Sequence, residues 1–333
     1  MNLDRLEWLS QRHEEALDPN MRIVDPHHHL WHRGGSRYLA EELQEDTTGS
    51  HNVTNTVFVE CKANYDRDRT KNLQPIGETV FVEGEARRFK ASGGPQLSGI
   101  VGFADLMLGR EVTEVLHAHE ENAKGLFKGI RHATAWSDDP DISISHTKPT
   151  EMMMNTKEFH EGFSTLGELG YSFDAWMYFD QLSELLNLAR EHPDVPIILN
   201  HLGAPLAIGT WKDRYMEVNE LWRDNLRELS TCDNVFLKLG GIGMDNYFDT
   251  GWTALPSPPS SETVAEFWRE RIHWCIETFS PGRCMFESNF PVDRQSLTYS
   301  VLWNAFQRIS EIYDNSEKEL LFSKTASAVY KLT

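Results

Sequence analysis

The chain has 333 residues, of which 32 are lysine or arginine and 51 are aspartate or glutamate, so its formal net charge is −19. This negative charge argues against nucleic acid and anionic membranes as partners, and no apolar run approaches the length of a membrane span. The four cysteines lack the C-x-x-C spacing of a zinc ribbon, which favours ordinary buried thiols in a reducing compartment. The charged first twenty residues do not resemble a signal peptide, so we expect a cytoplasmic protein.

The first predicted element is a helix. Leu6, Leu9, His13 and Leu17 recur at helical spacing, which predicts an amphipathic helix over residues 1–21 that covers one end of the fold.

A histidine-rich strand follows. Residues 23–31 read Ile-Val-Asp-Pro-His-His-His-Leu-Trp, which is typical of a buried strand whose carboxyl end carries polar groups. On a strand, His27 and His29 point to one face and His28 to the other. Two imidazoles on one face can share a metal ion or a substrate oxygen.

Strand and helix patterns then alternate along the chain. Seven more strands are predicted over 56–61, 100–105, 127–136, 171–178, 196–201, 235–239 and 284–289, with helices over 78–90, 110–122, 158–169, 181–191 and 262–279. Residues 80–82 fit a strand equally well. Closing helices are predicted over 296–312 and 317–332, and long loops after the fourth strand (137–155) and the seventh strand (to about 261).

This alternation implies parallel strands joined by right-handed crossovers. Eight such units close most naturally into an α/β fold, the (β/α)8 TIM barrel. We expect one domain over 1–333, with the barrel and closing helices over 22–333. An open doubly wound sheet is the competing architecture, but it requires an early phosphate-binding glycine turn, and Gly240 and Gly241 come too late in the chain.

Polar side chains at the carboxyl ends of these strands should meet at one mouth of the barrel. They are His27, His29, Glu60, Arg131, His132, Asp174, His201, Lys238, Glu287 and Asn289. Each residue alone could belong to a structural ion pair or hydrogen bond. Burying so many polar groups without a function is costly, however, so the group predicts an active site.

Three motifs in this group resemble the amidohydrolase superfamily. They are Asp25-x-His27-x-His29, Asn200-His201-Leu202-Gly203 and Phe286-Glu287-Ser288-Asn289-Phe290-Pro291. The nearest resemblance is to the amidohydrolase-2 branch, the TIM-barrel hydrolases that include dicarboxylate and sugar lactonases. It implies a hydrolase that attacks an ester or lactone carbonyl with water activated by a carboxylate on the eighth strand.

The chain departs from that pattern at two positions. Asn289 stands where the family usually has aspartate, and the usual histidine of the fifth strand is missing, with Asp174 and Trp176 near its place. An amide cannot accept a proton from water and is a poor zinc ligand. Both the usual base and the full metal shell are therefore in question.

Three interpretations remain. In the first, His27, His29 and His201 hold one divalent ion, zinc or manganese, with Asp174 or Glu60 as a further ligand. In the second, which ranks slightly ahead, no metal binds, imidazoles and Arg131 polarise the carbonyl, and Glu287 or Asp174 is the base. In the third, the barrel binds a ligand without turning it over.

The predicted residues fall into two groups. The catalytic set is His27, His29, Asp174, His201, Glu287 and Asn289. The substrate-binding set is Glu60, Arg131, His132, Trp136, Trp176 and Lys238. Aromatic residues in the loops favour a flat or apolar substrate such as a lactone or ring-cleavage product.

We therefore predict a lactone or carboxylic ester hydrolase that acts on a small molecule. A metal-dependent decarboxylase of the same superfamily and a non-catalytic ligand-binding barrel are the alternatives. A homo-oligomer is compatible with a barrel of this kind.

Overall fold

A computed structural model describes residues 3–332, and its main feature is an eight-stranded parallel sheet. The strands are β1 (Arg22–His28), β4 (Asn52–Val59), β5 (Gln96–Gly102), β6 (Phe127–Arg131), β7 (Ser172–Ala175), β8 (Ile197–Leu199), β9 (Val235–Leu239) and β10 (Cys284–Phe286), paired in that order. The His29 amide donates to the Phe290 carbonyl (2.8 Å) and the Asn289 amide to the His27 carbonyl (2.9 Å), which joins the last strand to the first. The predicted (β/α)8 barrel is confirmed.

Helices surround the barrel. They are α1 (Leu3–Ser10), α2 (Ala40–Thr47), α3 (Ile76–Ala91), α4 (Val112–Ala123), α5 (Lys157–Glu168), α6 (Leu182–Glu191), α7 (Tyr215–Ser230), α8 (Ser261–Phe279), α9 (Tyr299–Ile309), α10 (Asn315–Glu319) and α11 (Thr325–Val329). Residues 80–82, which also fitted a strand, belong to α3. No helix among residues 3–332 is long and apolar enough to cross a membrane.

The predicted N-terminal helix is too long. Helix α1 ends at Ser10, and residues 11–21 continue without helix, because side chains elsewhere take up their backbone N–H groups. The Leu17 amide donates to Oδ1 of Asn304 (3.0 Å), and the Asp18 amide donates to Oε1 of Gln307 (3.0 Å). Leu17 is 48% exposed, so the predicted apolar face is not buried there. Residues 1, 2 and 333 of the predicted domain lie outside the described residues.

The sequence interpretation missed three elements: α2, α7 and the hairpin of β2 (Trp31–Arg33) with β3 (Ser36–Tyr38). The hairpin follows β1 directly and brings Trp31 and Arg33 to the mouth of the barrel. Helix α7 had a visible signal, since Val218, Trp222 and Leu226 recur every four residues and are buried.

Two apolar cores lie on opposite sides of the strands. The larger core fills the space between sheet and helices. The smaller core includes Val24, Val57, Val101 and Ile198 and also Tyr330, which follows α11.

Neighbouring strands pack closely at Gly129. A Cβ atom there would lie 2.2 Å from the Ser172 carbonyl oxygen, so only glycine fits. The four cysteines are free thiols; three of them are buried as predicted, whereas Cys61 is partly exposed.

Candidate active site

The carboxyl end of β1 presents its three histidines on two sides, as the strand geometry predicted. His28 turns away from the mouth, and its Nε2 lies 3.1 Å from Oγ1 of Thr56. The rings of His27 and His29 lie on the other side with their centroids 5.0 Å apart. His27 is fully buried and His29 is 4% exposed.

Glu287 lies between two of the imidazoles. Its Oε2 is 2.6 Å from Nδ1 of His27, and its Oε1 is 2.7 Å from Nδ1 of His201. The His201 amide also donates to Oε1, at 3.0 Å. Gly240, at the end of β9, allows this position, since a Cβ atom there would lie 2.2 Å from Cγ of Glu287. Oε1 of Glu287 thus accepts two hydrogen bonds from His201, whereas Oε2 is buried in close contact with His27 and has no hydrogen-bond partner among the described residues.

The charges of this group follow from its surroundings. Burial alone would raise the pKa of Glu287, but His201 and Lys238 outweigh it, and the pKa lies below its ordinary value. Burial and the nearby Lys238 hold the pKa of His27 well below the usual range. An ionised carboxylate only accepts hydrogen bonds, so Nδ1 of His201 donates to Oε1 of Glu287, whereas Nδ1 of His27 lies in close contact with Oε2.

The remaining imidazole nitrogens differ in availability. Nε2 of His27 lies 3.4 Å from the Arg131 guanidinium and accepts from it. Nδ1 of His29 donates to the Val59 carbonyl at 2.8 Å. Within residues 3–332 we find no hydrogen-bond partner for Nε2 of His29 or of His201. These two nitrogens are free to meet a ligand.

Both free nitrogens belong to residues that line a cavity of about 300 Å³ at the mouth of the barrel. Its walls are His29, Trp31, Arg33, Cys61, Arg131, His146, Trp176, His201, Met244, Asn289 and Val292. Apolar and aromatic surface dominates, with a few polar groups that converge from different elements. This composition is typical of a small-molecule site.

Arg131 and Glu60 form a buried ion pair on one wall. Nε of Arg131 lies 2.9 Å from Oε1 of Glu60, and His146 brings its Nε2 to 3.1 Å from the other carboxylate oxygen. Burial opposes the charge on Glu60, but Arg131 and His146 outweigh it and lower its pKa to about 2. Glu60 thus contacts both Arg131 on the cavity wall and His146 in the long loop after β6.

Lys238 and Asp174 form a second buried pair, below the cavity. Nζ of Lys238 lies 2.7 Å from Oδ1 of Asp174 and also donates to the Pro26 carbonyl at 2.8 Å. Asp174 accepts further hydrogen bonds from Tyr330 (2.9 Å) and Asn200 (3.0 Å). Neither member of the pair lines the cavity.

Asn289 lies on the cavity wall in a left-handed backbone conformation, with φ 55°. Its Nδ2 is 2.8 Å from Oδ1 of Asp293, and the Gly243 amide donates to the other oxygen of Asp293 at 2.8 Å. Burial and the nearby Glu287 and Asp25 raise the pKa of Asp293 to about 8, against the opposing hydrogen bonds. A buried carboxyl therefore does lie beside this position, four residues further along the chain.

Four of the six predicted substrate-binding residues do not line the cavity: Glu60 and Lys238, whose ion pairs are described above, and also His132 and Trp136. His132 packs between Phe103 and Phe159, where its Nδ1 accepts from the Leu106 amide at 3.2 Å. Burial lowers its pKa to about 4. Trp136 uses its amide to donate to Gln181 and is not part of the cavity wall.

Several wall residues were missed by the sequence interpretation. They are Trp31, Arg33, Cys61, His146, Met244 and Val292. His146 had a partial signal, since it lies in the long loop over 137–155 that invited a binding role. The other residues carry no motif, and only the closed barrel brings them together.

Three side chains could hold a metal ion. His27, His201 and Glu287 each offer a ligand atom, and these atoms lie within 4.8 Å of one another. His29, which the sequence interpretation included among the ligands, is not part of this group. Imidazole nitrogen and carboxylate oxygen are a donor set that suits zinc or manganese.

Comparison with known proteins agrees with this architecture. The chain is 31% identical over 340 residues to the uncharacterized protein y4mH of Sinorhizobium fredii (94% of this chain, 99% of the other). It is 23% identical over 317 residues to the L-fucono-1,5-lactonase of Burkholderia multivorans (93% and 96%). The crystal structure of a Burkholderia multivorans amidohydrolase with bound zinc aligns with a TM-score of 0.72 and 20% identity, covering 93% of this chain and 99% of that one.

The decisive match is to a family model. The model described as Amidohydrolase (Amidohydro_2) matches residues 24–332, from the histidine strand to the last helix. The protein therefore belongs to the amidohydrolase family and is an amidohydrolase-type enzyme.

Proposed function

We propose that the protein hydrolyses the ring ester of a small lactone, with His201 as the general base. The carrying observation is the short contact between Nδ1 of His201 and buried Glu287 (2.7 Å), which leaves Nε2 of His201 free at the cavity. A carboxylate that fixes the tautomer of an imidazole also stabilises the imidazolium that forms when it accepts a proton.

The first step is attack of water on the lactone carbonyl carbon. A carbon–oxygen bond forms, and the proton of the water passes to Nε2 of His201. Glu287 suits this step because Glu60 neutralises Arg131 and Asp174 neutralises Lys238, whereas the side chains that contact Glu287 within salt-bridge distance are the imidazoles of His27 and His201. Its negative charge is thus available to the His201 imidazolium. In this proposal Glu287 contributes to proton transfer through His201.

The negative charge on the carbonyl oxygen requires a donor. Arg131 is the buried cation on the cavity wall, and its orientation is fixed by Glu60 on one side and by His27 and Asn200 at 3.4 Å on the other. A fixed cation in a site of low dielectric constant stabilises developing charge without reorganisation. We assign the oxyanion contact to Arg131.

The second step breaks the bond between the carbonyl carbon and the ring oxygen. We assign the proton that the ring oxygen needs to His146, which lines the cavity and whose Nε2 lies 3.1 Å from Oε2 of Glu60. The product is a hydroxy acid. His201 releases its proton to solvent, His146 regains one from solvent, and the acid ionises, so the net reaction gives one carboxylate and one proton.

The cavity supports a substrate of one ring. A volume of about 300 Å³ lies at the small end of ligand sites. Trp31 and Trp176 offer apolar faces, and the Arg33 guanidinium, 4.8 Å from the Trp31 ring, adds a cation at the mouth. The similarity to a sugar lactonase agrees with a single lactone ring. We therefore propose monocyclic lactones, with preference for those that carry a carboxylate.

A divalent ion fits the donor set of the site. If one is bound, His27, His201 and Glu287 would hold it, and it would polarise the carbonyl and acidify water. The contacts of these residues favour a reaction that does not depend on a metal, since Nδ1 of His201 donates to Glu287 and Nε2 of His27 accepts from Arg131, so neither nitrogen has a free lone pair for a metal.

The test is turnover of a panel of lactones and linear esters by untagged protein, before and after chelator treatment, with metal content measured on the same samples. We expect proton release with five- and six-membered lactones that survives the chelator. Carbon dioxide release from aromatic acids would instead identify a decarboxylase. No turnover with any substrate, in protein that binds lactones, would identify a binding barrel.

A further inference from the structure

A second group of metal-binding side chains lies in the outer helical layer. It consists of His160 on α5, Glu191 at the end of α6 and His192 immediately after it. None of the three lines the cavity. We propose that these residues bind a divalent transition-metal ion, most favourably zinc, that clamps α5 to the carboxyl end of α6.

The distances fit such an ion. Nδ1 of His160 lies 3.2 Å from Nε2 of His192 and 3.1 Å from Oε2 of Glu191. Ligands about 2.0–2.1 Å from a tetrahedral zinc ion lie roughly 3.3–3.4 Å from one another. All three ligand atoms lie within 4.8 Å of one another, so coordination requires the ligand atoms of Glu191 and His192 to approach this tetrahedral spacing, and a fourth position remains for water.

Hydrogen bonds among the three side chains can satisfy only one of the two contacts of His160 at a time. One proton on Nδ1 of His160 can serve either His192 or Glu191 fully, and a proton on Nε2 of His192 would leave Nδ1 of His160 facing the carboxylate with two lone pairs opposed. A cation at the centre removes this conflict for all three atoms.

The backbone around two of the ligands is already ordered. The His192 carbonyl accepts from Nδ2 of Asn234 at 3.0 Å, and the His192 ring packs 5.1 Å from the ring of Phe163 on α5. The His160 amide donates to the Thr156 carbonyl in the first turn of α5. Preordered ligands reduce the entropy cost of binding. Two imidazoles favour zinc, nickel or copper over magnesium or calcium, which prefer oxygen ligands.

The experiment is a zinc titration of the untagged, chelator-treated full chain, followed by calorimetry and thermal unfolding. Wild type and Glu287→Gln are compared with His160→Gln and with His117→Gln, which changes an exposed histidine on α4. We expect His160→Gln to lose one zinc equivalent that wild type, Glu287→Gln and His117→Gln all retain. Zinc at about 100 times its Kd should raise the Tm of those three proteins by roughly 3–5 °C through this site.

Equal zinc stoichiometry and equal Tm shifts in wild type and His160→Gln would overturn the proposal, as would a wild-type Kd weaker than about 100 μM at this site. Cobalt provides a second readout, because a tetrahedral cobalt spectrum in Glu287→Gln that disappears in Glu287→Gln/His160→Gln supports the same ligand set. These binding measurements do not require turnover of any substrate.

Discussion

The mouth of the barrel contains two buried ion pairs of similar geometry and different surroundings. Arg131 and Glu60 are 2.9 Å apart, and Lys238 and Asp174 are 2.7 Å apart, with all four side chains at least 94% buried. Arg131 reaches the cavity, whereas Tyr330 and Asn200 enclose the Lys238 pair. Each pair joins a buried cation to a buried carboxylate, and access to the cavity separates the pair suited to catalysis from the pair suited to structure.

The enclosed pair should give the largest effect on stability. Lys238→Met leaves the carboxylate of Asp174 buried without its cation, and we expect a loss of about 3–5 kcal/mol in the free energy of unfolding. Urea unfolding measures the loss, with exposed Lys212→Met as the control. A loss below about 1 kcal/mol would mean that water reaches Asp174 and that the contrast between the two pairs is wrong.

The open pair should affect catalysis more than stability. Arg131→Lys keeps the charge but cannot reproduce the planar contact with Glu60 and the cavity together. We expect kcat/KM to fall about 100-fold, which is about 2.7 kcal/mol of transition-state stabilisation. Arg190→Lys, in the exposed pair with Glu228, is the matched control. If Arg131→Lys lost stability but kept its kcat/KM, the Arg131–Glu60 pair would be structural and not catalytic.

His146 allows a finer test of the open pair. His146→Gln should lower kcat about 10-fold to 100-fold for lactones with an alkoxide leaving group, because general acid catalysis is removed. Aryl lactones, whose phenolate leaves without a proton, should lose much less. Rates for both substrate types are compared with those of exposed His13→Gln. Equal losses for the two types would show that His146 has another role.

Asp293 is a buried carboxyl group whose raised pKa should make the stability of the protein depend on pH. Its pKa is about 8 when folded against an ordinary 3.8, so the folded protein keeps a proton that the unfolded chain releases. Between about pH 4 and pH 8, stability therefore falls as pH rises, by about 1.4 kcal/mol per pH unit for this group. Asp293→Asn removes this contribution to the pH dependence of the free energy of unfolding. Urea unfolding at pH 5 and pH 7 should show that the free energy of unfolding of the variant rises relative to that of wild type as pH rises. An equal change with pH in the two proteins would contradict the raised pKa of Asp293.

Much of the fold could be predicted from the sequence. Short apolar runs and intervening helical patterns were sufficient for the eight strands, because burial of a parallel strand on both faces leaves a strong local signal. The end of α1 could not be predicted from local pattern, since Asn304 and Gln307 lie almost 290 residues away from the amides that they bind.

The site could be predicted only in part, and for a related reason. Spacing indicated that His27 and His29 share a face, and the strand ends brought Glu60, Arg131 and His201 to one mouth. Spacing could not indicate which polar groups would reach the cavity. His132 follows Arg131 directly and points the opposite way along the strand, whereas His146 returns to the wall only through the path of a long loop.

The most direct test of the central claim is a double-mutant cycle on His201 and Glu287. If Glu287 acts through His201, then His201→Gln and Glu287→Gln should each lower kcat for a lactone about 1,000-fold, and the double variant should be little worse than either one. Tm values confirm that each variant is folded. Additive losses in the double variant, or a Glu287→Gln variant that keeps its activity, would contradict the account.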